Sequence, residues 1–421
     1  MPEGFGGRIP NCNAALCLNQ RHRGAGCCRC VDSCPTDAIR LEGGRPRLDE
    51  TLCVQCGSCT VVCPTDVFTQ INPPEPTLML TFQHLPPTAP LEVVCPLRSG
   101  GAESRAPVAA VVRHRRCLAA LSVPHLLEIS RQGERPLWLD DSPCADCPFG
   151  ACHSLLTASV AAANTLLAAF GHPPSLALHT THPEQLLPAP LARPVLDGMK
   201  PQLSRRGFFG ALRQMGQERV ERALTEEAPP MLRPAVAVDQ RLPRRLPHSR
   251  KELLAHLSGL VIEDGLSQEA EIGLADLPFA VVGVDADACS ACGLCSRFCP
   301  TGALHFDGPG VGALTSYKDA AYALDFQARL CIDCAICQVA CPEEAIAFGD
   351  SLRTEQLLSA RAESLVAGKM TACITCGAPV AEHIQPSRCH VCRQGAGKVT
   401  PLHDGAGLMT DLLRRSNEPR Q

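Results

Sequence analysis

The sequence predicts an α+β chain made of two repeated cysteine-rich modules, a small α/β domain between them and a four-cysteine tail. Three observations predict it. The 421 residues include 27 cysteines, most of them set two residues apart. One cysteine–proline unit recurs in two pairs, near residues 10–75 and 280–350. Between those pairs, short apolar runs alternate with helix-spaced segments, the pattern of an α/β unit.

Composition narrows the class. Hydrophobic residues are 45% of the chain, enough for ordinary cores, while 33 Gly and 37 Pro predict many turns and few long elements. Charged residues are 19% and the net charge is −4. That balance excludes a nucleic-acid footprint or a polybasic membrane patch. Disulfide scaffolds are usually short secreted chains. A long chain with C-x2-C spacing points instead to a reducing compartment, so a cytoplasmic location is expected. The opening residues MPEGFGGRIPNCN lack a charged stretch followed by an apolar one, so no export signal is expected there. The most apolar segment, 151–170, is broken by His153, Ser154, Thr157, Ser159, Asn164 and Thr165. It reads as an Ala-rich soluble helix, so no membrane span is expected.

The repeat unit ends at Cys34-Pro35, Cys63-Pro64, Cys299-Pro300 and Cys341-Pro342. Three copies carry the spacing C-x2-C-x2-C-x3-C-P: Cys53, Cys56, Cys59, Cys63; Cys289, Cys292, Cys295, Cys299; and Cys331, Cys334, Cys337, Cys341. Between paired motifs the chain reads as strand–turn–strand. In the first pair strands are predicted at 38–41 and 46–49 around Gly43-Gly44; in the second, at 303–306 and 323–326 around a Gly-rich loop at 307–312. In the centre, strands are predicted at 91–95, 108–112 and 136–139, and helices at 117–132 and 152–170. The Pro-, Arg- and Gly-rich stretch after that reads as linker with a helix at 206–224. A helix is also predicted at 354–366. The expected organisation is residues 1–75, 76–195, 196–250, 251–350 and 351–421: module, α/β domain, linker, module, tail.

Cysteines at i, i+3 and i+6 wrap three corners of an iron–sulfur cubane, and the proline after the fourth cysteine ends the turn without leaving an N–H to satisfy. These motifs resemble those of bacterial-type ferredoxins, twice over, across about a third of the chain. The resemblance implies paired [4Fe-4S] clusters in a pseudo-twofold fold and one-electron transfer. It also implies that the cysteine before proline ligates the other cluster of its pair. Cluster B is then Cys34, Cys53, Cys56 and Cys59. Cluster C is Cys289, Cys292, Cys295 and Cys341. Cluster D is Cys299, Cys331, Cys334 and Cys337.

The first copy departs from the pattern. Cys27 and Cys30 stand correctly before Cys34, but the next expected position is Gly24. Cys17 or Cys12 must supply the fourth corner of cluster A with Cys27, Cys30 and Cys63. Cys17 is preferred, because the nine residues between it and Cys27 make a plausible insertion. Cys28 reads as a bystander, since neighbouring side chains point apart.

The central domain offers Cys95, Cys117, Cys144, Cys147 and Cys152. Cys95 and Cys144 follow predicted strands, where open α/β sheets gather ligands. Cys95, Cys117, Cys144 and Cys147 are the candidate set for a fifth centre, against the alternative of ordinary buried cysteines. In the tail, Cys373-x2-Cys376 and Cys389-x2-Cys392 fit a closed tetrahedral site and resemble a zinc ribbon. Gly377 follows the first pair as in a rubredoxin knuckle, so iron is the rival.

Other features carry less. Ser204-Arg205-Arg206-Gly207-Phe208-Phe209 resembles a twin-arginine motif, but it sits mid-chain before charged residues and reads as a surface helix or docking segment. His179 and His182 have no acidic or Cys neighbour in sequence and read as solvated. No phosphate loop, G-x-S-x-G or paired-carboxylate pattern is found, so no catalytic residue is expected. The expected function is electron carriage between protein redox partners. At the level of resemblance the architecture is similar to multi-cluster ferredoxins that accompany molybdenum or tungsten oxidoreductases such as formate dehydrogenases and nitrate reductase systems. A maturation or docking factor, and a thiol–disulfide enzyme subunit at the central cysteines, are the alternatives.

Overall fold

The computed structural model describes Phe5 and residues 8–99, 101–201, 242–261, 270–275, 277–309 and 320–393. The expected 206–224 helix and the Ser204–Phe209 segment lie outside the described residues.

In the first module, strands Ile39–Glu42 and Arg45–Leu48 pair antiparallel, Ile39 opposite Leu48. They turn on Gly43 and Gly44 at φ 56° and 75°, the left-handed pair that a two-residue hairpin turn needs and that glycine adopts without a Cβ clash. Asn11–Cys12 pairs with Phe68–Thr69. The core beneath is small: Cys17, Cys30, Ile39, Cys59, Cys63, Val67 and Phe68. Sulfur fills much of the volume that aliphatic side chains usually occupy.

The central domain is a five-stranded, fully parallel sheet. Its order is Val195–Asp197, Ala110–Arg113, Leu91–Val94, Leu137–Leu139, Leu176–Leu178. Two of these strands exceed the sequence expectation, because three residues are too few to show a periodicity. Val195–Asp197 also crosses the expected boundary after residue 195, so the central unit continues into what was expected to be linker. The expected long helix after Cys117 is instead a turn at Leu118–Ala120 and a helix at Val123–Ile129. Pro124 lacks an N–H to bond back to the preceding turn, so it starts a helix there and cannot sit inside a longer one. Helix His153–Ala169 buries Leu156, Val160, Ala163, Leu166 and Leu167 in the central core. With the turn before it, Gly150–Ala169 is long and apolar enough to cross a membrane by length and composition.

Helix His248–Gly259 spans the expected linker–module boundary at residue 250. It buries Leu253, Leu254 and Leu257 in the same core as the central sheet, together with Leu352 and Leu357. The second module therefore shares a core with the central domain. Its strands pair as Val281–Val284 with Ile346–Gly349, and Leu304–Asp307 with Ala321–Phe326.

The tail corrects a second expectation. The helix predicted at 354–366 stops at Leu358, where Ser359 turns extended at ψ 134°. Residues Glu363–Ala372 form a strand between Ala321–Phe326 and Pro379–Ala381, giving a four-stranded antiparallel sheet. Val366 and Met370 reach the second module's core from this strand. Gly368 permits close pairing, since a Cβ there would lie 3.0 Å from the Tyr322 ring. The tail site is thus built on the second module's own sheet.

Candidate metal centres

The four repeat units share one backbone signature. Three residues past each fourth cysteine the chain enters the left-handed region: Asp37 at φ 52°, Asp66 at 55°, Gly302 at 79° and Glu344 at 53°. The three full motifs share two more such residues, one before and one after their second cysteine. These are Gln55 and Gly57 (63° and 91°), Ala291 and Gly293 (56° and 67°), and Asp333 and Ala335 (49° and 54°). A left-handed conformation costs a non-glycine residue roughly 1–2 kcal/mol, yet seven of these ten positions hold non-glycine residues, three of them the more tolerant Asp. Alternating right- and left-handed residues turn successive N–H groups into one concavity, the nest that iron–sulfur sites use. The first copy keeps Gly26 at 58°, but Cys28, in the second position, has φ −124°.

The thiols gather as quartets. Cys34 acts electrostatically on Cys53 and Cys59, and Cys34, Cys53, Cys56 and Cys59 line one concavity of about 340 Å³. Cys289, Cys292, Cys295 and Cys341 line another of about 410 Å³. Cys299 acts on Cys331, Cys334 and Cys337. Burial and then neighbouring thiols push Cys295 up to about 12. Burial also lifts Cys334 to about 12. Crowded buried thiols of this kind become thiolates only when a cation holds them, so the donor set fits iron–sulfur ligation. Backbone N–H groups already aim at sulfur: Val67 N donates to Cys63 Sγ at 3.3 Å and Ala345 N to Cys341 Sγ at 3.4 Å.

At the divergent copy, Cys17 is 6% exposed and interacts with Cys27 and Cys63. Cys30, lifted to about 12 chiefly by burial, feels Cys63, Cys27 and Cys17. Cys12 also faces Cys63, but its Sγ donates to Pro46 O at 3.5 Å. Exposed Cys28 donates to Asp32 Oδ2 at 2.8 Å. Asn19, not anticipated from sequence, clamps the inserted loop: its Nδ2 donates to Cys27 O at 2.8 Å and its Oδ1 accepts from Cys27 N at 2.9 Å.

The central cysteines converge at the carboxyl ends of the parallel strands. Cys95, Cys117, Cys144, Cys147 and Cys152 line one concavity of about 400 Å³ with Phe5 and His153. Burial, then Cys95, lifts Cys144 to about 12. Cys152 reaches out of this group: its Sγ lies 3.1 Å from Ser58 Oγ, and Cys56 Sγ lies 3.6 Å from the same hydroxyl. The central thiols and the Cys53–Cys59 loop are therefore in contact, through Ser58 and through Cys56 and Cys152 themselves.

In the tail, Cys373, Cys376, Cys389 and Cys392 present sulfurs all within 4.8 Å of one another. Cys389 N donates to Cys373 Sγ at 3.3 Å. Gly377, at φ 74°, closes the first knuckle by donating to Cys373 O at 2.8 Å.

His179 is a correction. It is buried, its Nε2 is 2.7 Å from Glu92 Oε1, and its Nδ1 is 3.5 Å from Asp140 Oδ1. Glu92 lies in one strand and Asp140 just after another, both far off in sequence, which is why no local signal marks them. Arg98 Nε lies 2.6 Å from Asp140 Oδ2, adding a guanidinium to this buried cluster. His182 is 39% exposed, as expected, beside Glu184.

Residues 25–67 match a 4Fe-4S dicluster domain and residues 282–305 a 4Fe-4S binding domain. Two regions of the chain are thus similar to ferredoxin-type 4Fe-4S domains. It is 46% identical over 35 residues to an uncharacterized ferredoxin of Methanocaldococcus jannaschii. That stretch is 8% of this chain and 23% of the relative's length. No solved structure matches the chain.

Proposed function

We propose that the chain is a cytoplasmic polyferredoxin that carries single electrons between protein redox partners. In this reading it holds four [4Fe-4S] clusters: A on Cys17, Cys27, Cys30 and Cys63, and B, C and D on the quartets named above. The observation that carries it is the fourfold recurrence of one left-handed backbone signature around cysteines that meet across each module. When bound, the clusters supply one-electron chemistry. The chain supplies thiolates, amide hydrogen bonds and burial, which set each potential. Cys95, Cys117, Cys144 and Cys147 hold a fifth centre, and the tail quartet holds zinc. Resemblance to accessory ferredoxins favours a molybdenum or tungsten oxidoreductase, such as a formate dehydrogenase, as the partner.

A second reading, a thiol–disulfide enzyme subunit, is favoured by the C-x2-C pair Cys144–Cys147 in the central concavity. Anaerobic purification with iron, sulfide and zinc counted per chain tests the first reading. It calls for roughly sixteen to twenty iron atoms and a single zinc. About eight iron atoms or fewer in fully loaded protein would sink the four-cluster assignment. Loss of an intrinsic thiol–disulfide activity in Cys144→Ser would transfer support to the second reading.

A further inference from the structure

The second module holds two chemically equal quartets in opposite electrostatic surroundings. Asp285 and Glu343 both act on Cys289 of the cluster C set, and Glu343 is itself in contact with Arg393. The cluster D set faces guanidinium groups. Arg250, 4% exposed, lies over the Phe279 ring at 4.0 Å and acts on Cys331. Arg21 donates from Nε to Phe298 O at 2.6 Å and from Nη2 to Cys299 O at 2.9 Å, and acts on Cys299 and Cys334. Arg29 donates to Asp333 O at 2.6 Å, pairs with Asp333 Oδ2 at 3.0 Å, and acts on Cys334. Arg244, bound to Ser296, stands beside Arg21. Against these, Asp333 is the carboxylate in contact.

Two of these four arginines, Arg21 and Arg29, come from the other module. Arg21 ends the helical turn after Cys17, and Arg29 immediately precedes Cys30. The same interface packs His22 edge-on to Phe298, with ring centroids 4.8 Å apart. Ligand-bearing segments of cluster A therefore lie directly on ligand-bearing segments of cluster D.

A cluster gains negative charge on reduction, so nearby cations stabilise its reduced form and nearby carboxylates oppose it. We propose that cluster D is the higher-potential centre of its module and the electron junction to the first module, with Arg21 and Arg29 setting that potential. This rests on reading both quartets as [4Fe-4S] sites. With clusters bound, these arginines would favour an electron at the D site over the C site, and the Arg21 and Arg29 contacts would place that site against the cluster A ligands; no covalent bond or proton would move.

The test is an EPR-monitored redox titration of the anaerobic full-length holoprotein, with Cys292→Ser and Cys334→Ser assigning the C and D signals. D should reduce at higher potential than C. Arg21→Gln and Arg29→Gln should each lower D and leave C unmoved at unchanged iron and sulfide content; Arg29→Lys should retain the potential, and Asp333→Asn should raise it. In the double variant Cys56→Ser/Cys292→Ser, the signals of A and D should show mutual spin broadening. A D potential at or below that of C, a D potential indifferent to both glutamine variants at full iron, or unbroadened lines would each overturn the proposal. Failure of the underlying cluster reading is distinguishable, because the wild-type chain would then already lack the iron.

Discussion

The two modules repeat one motif and solve it differently. The second carries two full copies, each with a left-handed residue on both sides of its second cysteine. The first carries one full copy and one in which Cys28 replaces the second left-handed residue and the first thiol comes from beyond an inserted loop clamped by Asn19. In three sites a local curl presents the thiols. In the fourth, the Asn19 side-chain hydrogen bonds and a helical turn anchored by buried Leu18 stand in that place. Contacts beyond the motif can thus bring thiols together where the local curl is missing.

Substitutions of cluster ligands should break the comparison most severely. Cys63→Ser should cost roughly four iron atoms by removing cluster A while sparing B, as iron content and EPR of the reduced protein will show; loss of B instead would refute the crossover. Cys17→Ser should reproduce that loss and Cys12→Ser should not, which decides whether the inserted loop supplies the corner. The local curl itself is probed by Gly57→Ala. Its Cβ would meet Arg116 Nη2 at 2.3 Å in a left-handed residue, so stability to denaturant should fall by about 2 kcal/mol or more, with cluster B the first centre lost. Ala335→Gly is the gentle counterpart. Relieving the left-handed strain should add up to about 1 kcal/mol, the smallest effect in the mutational series.

The central domain, which shows no such curl around its cysteines among the described residues, should instead reveal itself through pH. His114 is fully buried, and burial lowers its pKa from 6.5 to about 4. The folded chain then binds fewer protons than the unfolded chain between those values. Stability present above pH 6.5 is lost as pH falls towards 4, by about 3 kcal/mol. Denaturation of wild type against His114→Gln should show the slope in the former and a flatter one in the variant; parallel slopes would exclude His114 as its source.

Much was legible because the chemistry is local. Cysteine spacing and the following proline marked three copies of the motif, and Gly43-Gly44 marked the hairpin that the structure contains. Short elements escaped: Leu176–Leu178 and Val195–Asp197 have too few residues to show a period, and Pro124 shortened a helix that its apolar spacing alone would have extended. The sequence reading carries a helix on to residue 366, over the first residues of the strand Glu363–Ala372, because that strand's pairing partner, Ala321–Phe326, supplies a ladder that propensity cannot foresee.

What the sequence by itself determined is which thiols stand at chelating spacing, since three ligands within seven residues need only a turn to converge. What the tertiary structure alone decided is who stands next to them. The contact of Cys152 with Ser58, the burial of His179 between Glu92 and Asp140, and the seating of Arg21 and Arg29 on the Cys299 and Asp333 backbone join residues far apart in the chain. Such contacts follow from how the parallel sheet, the helix at His248–Gly259 and the two modules pack, and no local spacing encodes them.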